Sequence, residues 1–294
     1  MKLRDSRELG LCAALFALSC TGRDISLGEG RVRVSDGPPA LEFAEPQLVP
    51  GLDGEDEKDD DPALTQDLLT LYFNAQREGG QGKEDIWFAE RASRDDAFST
   101  PVPESALNSE ARETGIALAP DGLNLWFSSD REGGAGGLDV YIATRASPRG
   151  SWSVARVPEL SSPGDDLVSS VADGERTLFL ARRADEDDDY DLYVARRPDR
   201  TSAFTAPEPI AALNTDDEES DAVLLEARGG LVFTRDEQLV YAARYPDDGE
   251  PIELDALNSA DDDRDAWFSA DGRYVMFSSD RSGSYRLYEA RSAR

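Results

Sequence analysis

The chain has 294 residues and a formal net charge of −30, because 61 acidic residues oppose 31 basic ones. A charge of that size repels nucleic acids and anionic lipid surfaces, so nucleic-acid binding is excluded and cationic partners or divalent ions are the ligands favoured. Histidine is absent, which excludes Ser-His-Asp and Cys-His nucleophiles and histidine-ligated zinc. A hydrated acidic surface that binds nothing is the plainer interpretation of the same charge.

Residues 1–20 have the features of a bacterial export signal, with basic residues first and then an apolar stretch too short to span a bilayer. The stretch ends in Ala-Leu-Ser-Cys, which resembles the lipobox of bacterial lipoproteins, with Cys20 as the lipid-modified residue. The resemblance implies a lipid anchor in the bacterial cell envelope, facing the periplasm. Thr21 is not the aspartate that retains lipoproteins at the inner membrane, which favours the outer membrane. An ordinary signal peptide and a secreted protein is the alternative.

Residues 21–40 are rich in glycine and proline and lack apolar periodicity, which predicts a flexible tether. The folded domain is then expected over residues 41–294. The chain's contact with a membrane would be through the lipid anchor only.

A repeat of about 50 residues organises this domain, and a fixed period of that length is typical of repeat architectures such as propellers. One phenylalanine marks each unit, at Phe73, Phe127, Phe179, Phe233 and Phe277. A protein built in this way commonly works through a surface or a central channel.

The second unit shows what one repeat contains. Residues 116–119 and 123–128 read as two strands joined by a Pro-Asp-Gly turn, which is a strong hairpin signal. A glycine-rich loop leads to a third strand at 139–143, and 151–157 reads as a fourth and more polar strand. Four short antiparallel strands per unit predict a propeller blade.

The sequence D-G-L-N-L-W-F-S-S-D-R at 121–131, followed by G-G-L-D-V-Y at 136–141, resembles the TolB-type, WD-repeat-like β-propeller repeat of bacterial envelope proteins. The resemblance extends over residues 43–294 and is weakest in the fourth unit. It implies a propeller fold and a role as a binding platform.

The fifth unit contains three strands, and residues 41–49 match a missing fourth strand because Glu-Pro-Gln at 45–47 parallels Glu-Pro-Ile at 208–210. We therefore predict an all-β fold: a single β-propeller of five four-stranded antiparallel blades, closed by an N-terminal strand that completes the last blade. Closure removes exposed sheet edges, which favours a monomer.

Acidic residues recur at the start of the predicted first strands. Counting six residues back from the turn of each unit gives Asp61, Asp221 and Asp265, and Asp166 lies one position from the equivalent place. First strands line the channel of a propeller, so these carboxylates are expected to gather near one channel mouth. Such a site suits a calcium ion or a basic segment of a partner. Hydrated loops are the alternative, and the sequence specifies no other cofactor or metal.

An arginine follows the marker phenylalanine by four residues in four units, and in three of them an aspartate follows eight residues later. We predict that each pair forms an ion pair across a hairpin and holds its loop in place. The pairs are Arg77 with Asp85, Arg131 with Asp139, and Arg183 with Asp191. A contact rim formed by these loops is the functional alternative.

Two functions remain after these exclusions. The first is a non-enzymatic envelope binding or scaffold protein, without catalytic residues, that presents an acidic channel mouth and a loop rim to a protein or glycan partner. The second is a glycoside hydrolase that uses carboxylates from different blades, since such chemistry needs two carboxyl groups on either side of a sugar bond.

Overall fold

A computed structural model describes residues 41–52, 58–246 and 249–292. The predicted signal peptide (1–20), Cys20 and the tether (21–40) lie outside the described residues. Within these ranges the chain forms five four-stranded antiparallel sheets, and a single 3-10 turn at Pro158–Leu160 is the only helical element. The predicted five-bladed β-propeller is confirmed. No helix in the described ranges has the length and apolar character needed to cross a membrane.

The strands follow the chain closely. The first element is β1 (Gln47–Leu48), and the first blade contains β2 (Lys58–Leu64), β3 (Thr70–Gln76), β4 (Asp85–Glu90) and β5 (Val102–Pro103). The second blade contains β6 (Glu113–Leu118), β7 (Asn124–Ser129), β8 (Asp139–Thr144) and β9 (Ser153–Arg156). The third contains β10 (Asp165–Ala172), β11 (Thr177–Arg183), β12 (Asp191–Arg196) and β13 (Glu208–Pro209). The fourth contains β14 (Glu219–Leu225), β15 (Gly230–Arg235), β16 (Gln238–Ala242) and β17 (Ile252–Glu253).

The fifth blade draws strands from both ends of the domain. It contains β18 (Asp263–Phe268), β19 (Tyr274–Ser279) and β20 (Arg286–Arg291), and β1 is its fourth strand. Gln47 pairs with Glu289 and Leu48 with Tyr288, in antiparallel register. The predicted closure by the N-terminal segment is therefore confirmed.

The core lies between the blades. Each marker phenylalanine occupies the second strand of its blade and is fully buried, and apolar clusters connect every blade to the next. A strand buried on both faces against two neighbouring blades needs continuous apolar residues, as in Leu-Trp-Phe at 125–127. One blade alone could not bury both faces, so the repeats depend on one another.

Candidate functional site: a carboxylate cluster in the central channel

A central channel is lined by the first strands of all five blades and by the turns that follow them. Its cavity measures about 140 Å³. Apolar side chains such as Leu64, Ile116 and Val223 form much of its wall, and Asp61, Asp221 and Asp265 also face it. The channel is thus apolar along its length and acidic where the first strands begin.

A bulge in the first strand directs the acidic side chains. In four blades the pairing of the first and second strands shifts register at this point, and a left-handed residue lies within the shift. These residues are Asp61 (φ 47°), Gly115 (φ 61°), Asp221 (φ 54°) and Asp265 (φ 53°). Bulges re-aim side chains, and aspartate and glycine tolerate this backbone better than most residues. The six-residue count therefore identified a true structural position.

Asp61, Asp221 and Asp265 come together although they belong to the first, fourth and fifth blades. Each offers a carboxylate oxygen, and the three oxygens lie within 4.8 Å of one another. The Thr114 hydroxyl (2.8 Å) and the Gly115 N–H (2.7 Å) donate to Asp61 Oδ2, and the Ser220 hydroxyl donates to Asp221 Oδ2 (2.6 Å). Asp61 and Asp221 are therefore held in place by neutral donors.

One guanidinium accompanies the cluster. Arg264 pairs with Asp60 and lies 3.4 Å from Asp265 through Nε, and it stacks over the Tyr285 ring at 4.1 Å. Burial, the largest single influence, would raise the pKa of Asp60, but the charge of Arg264 together with hydrogen bonds to Asp265, Ser278 and Arg264 lowers that pKa below its ordinary value. With Asp60 included, four carboxylates thus surround Arg264, while Arg112 interacts electrostatically with Asp61.

The crowding changes the protonation of two aspartates. Burial, followed by the charges of Asp60 and Asp221, raises the pKa of Asp61 to about 7, against the opposing hydrogen bonds from Gly115 and Thr114. Burial and the charges of Asp221 and Asp60 also raise the pKa of Asp265 well above its usual range. Near neutral pH the cluster is therefore poised to exchange protons for another cation.

A pH dependence of stability follows from Asp61. Between its unfolded value of 3.8 and its folded value of about 7 the folded chain holds a proton that the unfolded chain has released. Stability from this group is complete below the lower value and is lost as pH rises through the upper one. We expect Asp61→Asn to reduce that slope and to raise the free energy of unfolding by about 1–3 kcal/mol at pH 8, measured by urea denaturation in calcium-free buffer.

Asparagine suits this test because its side-chain oxygen accepts the same two hydrogen bonds and it tolerates left-handed backbone. Asp236→Asn is the matched control, since Asp236 is exposed and also left-handed (φ 46°) but does not belong to the cluster. Equal slopes for the wild type and Asp61→Asn between pH 4 and 7 would contradict the assignment.

Asp166, the fourth predicted member, does not join the cluster. Its carboxylate is fully buried, pairs with Arg182 at 2.5 Å and accepts the Ser162 N–H at 2.5 Å. The first strand of the third blade also shifts register, but the shift lies between Val168 and Ser170, contains no left-handed residue and has a serine in place of an aspartate, so it turns no carboxylate toward the channel. The prediction that groups Asp166 with the channel aspartates is wrong for that reason.

Asp166 instead belongs to a set that the sequence analysis missed. Each blade buries one carboxylate near the start of its first strand and pairs it with an arginine from the end of its second strand or the residues just after it. The arginine also donates to the backbone carbonyl of a leucine. The five pairs are Asp59–Arg77, Glu113–Arg131, Asp166–Arg182, Glu219–Arg235 and Asp263–Arg281. Their leucine acceptors are Leu52, Leu107, Leu160, Leu213 and Leu257.

The hairpin pairs predicted from the sequence are replaced by this set. Arg77 and Arg131 bind the first-strand carboxylates, and Arg183 pairs with Asp165 at 2.8 Å. Asp85 accepts the N–H groups of its own loop, at 2.9 Å from Gln81 and 3.1 Å from Gly82. Because the backbone N–H groups of the loop already donate hydrogen bonds to this carboxylate, Asp85 is stable in its loop without an ion pair to Arg77.

The other two hairpin aspartates also lack the predicted arginine partner. Asp139 accepts the Ala135 N–H at 2.8 Å and forms an ion pair with Arg156 at 3.0 Å. Asp191 begins β12, and burial followed by the charge of Asp189 raises its pKa. The predicted pairings Arg131 with Asp139 and Arg183 with Asp191 are therefore corrected in the same way.

Comparisons with known proteins concern the fold. No family model matches the chain, and no curated protein matches it by sequence. A family 117 glycoside hydrolase from Zobellia galactanivorans superposes with a TM-score of 0.53 at 14% identity, over 85% of this chain and 90% of that one. A thermostable family-43 glycoside hydrolase gives 0.50 at 10% identity, over 83% and 91%. A putative TolB from Agrobacterium tumefaciens gives 0.48 at 14% identity, over 76% and 71%. At these identities the likeness to the two glycoside hydrolases shows a shared fold alone, and a shared fold does not assign a function.

Proposed function

We propose that this protein is a non-enzymatic binding platform of the bacterial envelope, whose acidic channel end receives a basic side chain from a protein partner. The observation that supports the proposal is the convergence of Asp61, Asp221 and Asp265 from three blades to within 4.8 Å of one another. Carboxylates converge in this way at a cost, which a bound cation offsets.

The channel suits a lysine or arginine side chain in particular. The apolar wall matches the methylene stem of such a side chain, while the carboxylates match its charged head. A cavity of about 140 Å³ has room for one extended side chain but not for a whole β-strand of the partner. The net charge of −30 would also attract a basic partner and raise its association rate at low salt.

The glycoside hydrolase remains the alternative, because a protonated Asp61 or Asp265 beside an ionised carboxylate has the form of an acid–base pair. The size of the cavity favours binding over that chemistry. Retaining glycosidases separate their two carboxyl groups by about 5–5.5 Å, and the spacing of one oxygen per carboxylate within 4.8 Å is compatible with that arrangement. The cavity of about 140 Å³, however, is smaller than the roughly 300–1,000 Å³ of a usual small-ligand pocket. Turnover of a panel of aryl-glycosides that is lost in Asp265→Asn would support the alternative.

The proposed localisation is the bacterial cell envelope, with a lipid anchor on Cys20. Several acyl chains on one cysteine anchor a protein durably. Metabolic labelling with a palmitate analogue tests this, since label that persists in Cys20→Ala would contradict the anchor.

Crosslinking capture from envelope fractions tests the binding proposal. We expect the variant Asp221→Asn/Asp265→Asn to lose about tenfold or more of the captured partner, because a charge-assisted contact contributes about 1.5–3 kcal/mol. The double variant Asp187→Asn/Asp188→Asn is the matched control, because it also replaces two aspartates but in an exposed acidic loop. It should capture as much of the partner as the wild type does.

Two outcomes would contradict the proposal. Equal capture by both double variants would show that overall charge, and not the channel, binds the partner. A rise in Tm with millimolar calcium that disappears in Asp61→Asn/Asp221→Asn/Asp265→Asn would identify a metal ion as the occupant in place of a side chain.

A further inference from the structure

An arginine follows the third strand in each of the first three blades and occupies the same structural place. Arg91, Arg145 and Arg197 stack over Phe98, Trp152 and Phe204, at 4.4, 4.0 and 4.4 Å from the ring centroids. In each case Nε donates to a backbone carbonyl of the preceding hairpin, that of Leu68, Gly122 or Glu175. Each guanidinium is thereby fixed at the groove between its blade and the preceding one.

The three arginines differ in their counter-charge. Arg91 pairs with Glu289 at 3.8 Å, and Arg197 pairs with Glu175 at 3.5 Å. Among the described residues no carboxylate pairs with Arg145, whose Nη1 donates instead to the Tyr72 hydroxyl at 3.1 Å. This guanidinium is therefore held in place without a carboxylate partner, in a chain of net charge −30.

The strand registers explain the missing carboxylate. In the fifth blade, Glu289 pairs with Met276, the residue before the marker Phe277. In the first blade the residue before the marker phenylalanine is Tyr72, and it pairs with Phe88. Phe88 therefore occupies the position that Glu289 has in the fifth blade. Tyr274, whose hydroxyl donates to the Glu289 carboxylate, corresponds to Thr70. A carboxylate and a tyrosine ring that fill the groove between the fifth and first blades are thus absent from the next groove.

An open groove of about 1000 Å³ occupies that place between the first and second blades. Phe88, Thr70, Tyr72 and Arg145 line it, together with the polar side chains Gln66 and Glu104. A concave site with aromatic faces and a few fixed polar groups is the usual form of a small-ligand site.

We infer that this groove binds a small saccharide that carries one carboxylate, such as a uronic acid. The carboxylate takes the place that Glu289 has in the neighbouring groove and pairs with Arg145. The ring of Phe88, which is half-buried, offers an apolar platform for one face of the sugar, and Gln66 and Glu104 offer planar groups to its hydroxyls.

The charges of the groove favour one carboxylate over several. The lining carboxylates are Asp67, Glu90, Glu104 and Asp121, and the lining cations are Arg91, Arg145 and Arg149. Because Arg91 is already paired with Glu289, the negative charges outnumber the free cations and a second anionic group would be repelled. The site is separate from the channel cluster, so its success or failure is independent of the proposed function.

Titration of the full-length protein with sodium glucuronate at 0.15 M salt, followed by saturation-transfer NMR and calorimetry, tests the inference; methyl glucoside serves as the neutral probe. We expect glucuronate to bind more tightly than the glucoside, and Arg145→Gln to weaken it by about tenfold or more. Arg196→Gln is the matched control, because Arg196 also donates to a tyrosine hydroxyl, that of Tyr245 at 3.2 Å, in another groove.

Phe88→Glu provides a second arm that does not depend on loss of an arginine. It places a carboxylate at the position that Glu289 has in the neighbouring groove, so it should abolish glucuronate binding. Because the Phe88 ring packs on Tyr72 at 6.0 Å between ring centroids, a cooperative melting transition is checked beside binding. Equal binding of glucuronate and glucoside, an unchanged affinity in Arg145→Gln, or full binding by Phe88→Glu would overturn the inference. So would a peptide that binds through its C-terminal carboxylate where glucuronate does not.

Discussion

Replacement of Arg77 by methionine is expected to destabilise the propeller by about 3–5 kcal/mol, because it leaves the Asp59 carboxylate buried without its counter-charge. Arg77 donates to both oxygens of Asp59, at 2.7 and 2.8 Å from Nη2, and to the Leu52 carbonyl at 3.0 Å. Their side chains are only 5% and 1% exposed. The guanidinium also lies 5.2 Å from the Phe73 ring, so it connects the ion pair to the core.

Arg291→Met is the matched control for Arg77→Met. Arg291 pairs with Asp95, but their side chains are 54% and 86% exposed, and an exposed pair contributes about 0–1 kcal/mol. The double variant Asp59→Leu/Arg77→Met separates loss of the pair from loss of packing, because removing both charges should restore part of the stability. Chemical denaturation of the four proteins measures the effect. Equal losses for Arg77→Met and Arg291→Met would contradict a structural role for the buried pair.

The five buried pairs also leave a regular signal in the sequence. In four blades the carboxylate stands 14 residues before the marker phenylalanine, as Asp59, Glu113, Glu219 and Asp263, and in the third blade it stands 13 residues before, as Asp166. Because the chain is rich in acidic residues throughout, this period is hidden among loop carboxylates. The paired carboxylates are buried and the loop carboxylates are exposed, and this difference is visible only in the three-dimensional structure.

The fold itself was predictable because its signal is repeated. Five copies of a marker phenylalanine fix the number of blades, and a strand missing from the last copy but present before the first one fixes the closure. The site was predictable only in part. The position of Asp61, Asp221 and Asp265 follows from the repeat, whereas the local register of β10 removes the third blade from the cluster.

Hydrogen-bond competition explains the mistaken hairpin pairs. Sequence spacing places an arginine and an aspartate on the same loop, but it does not show which groups have already been satisfied. Glycine-rich loops expose several backbone N–H groups, and two of these donate hydrogen bonds to the Asp85 carboxylate. The arginine then reaches the deeper carboxylate, where the lower local dielectric makes the contact stronger.

Deletion of residues 1–50 is expected to abolish cooperative folding of the propeller, because it removes the strand that closes the ring. Leu41, Phe43 and Val49 are buried, and burying each such side chain contributes about 1.5–3 kcal/mol. The segment also supplies backbone hydrogen bonds, from Ala44 N–H to Arg291 (2.9 Å) and from Val49 N–H to Leu287 (2.9 Å). The sum is a large share of the total of about 5–15 kcal/mol that holds a typical domain folded.

The reason extends beyond lost contacts. Without β1 the outer edge of β20 presents unpaired N–H and C=O groups, and such an edge recruits other chains. Val49 also belongs to the cluster between the first and fifth blades, while Phe43 packs on Phe268 at 6.0 Å between ring centroids. The deletion therefore weakens the two inter-blade contacts beside the closure and should give aggregation in place of a cooperative melting transition.

A chain of residues 40–294 is the control for residues 51–294, since it keeps the closing strand and lacks the predicted signal and tether. We expect the longer chain to melt in a single transition as a monomer and the shorter one to aggregate, measured by calorimetry and light scattering. Phe43→Ala and Leu48→Ala give a graded version within the intact strand. Phe43 is 8% exposed, so its truncation should cost about 3 kcal/mol, whereas Leu48 is 49% exposed and should change little. A monomeric 51–294 chain with an unchanged Tm would mean that the ring closes without its N-terminal strand.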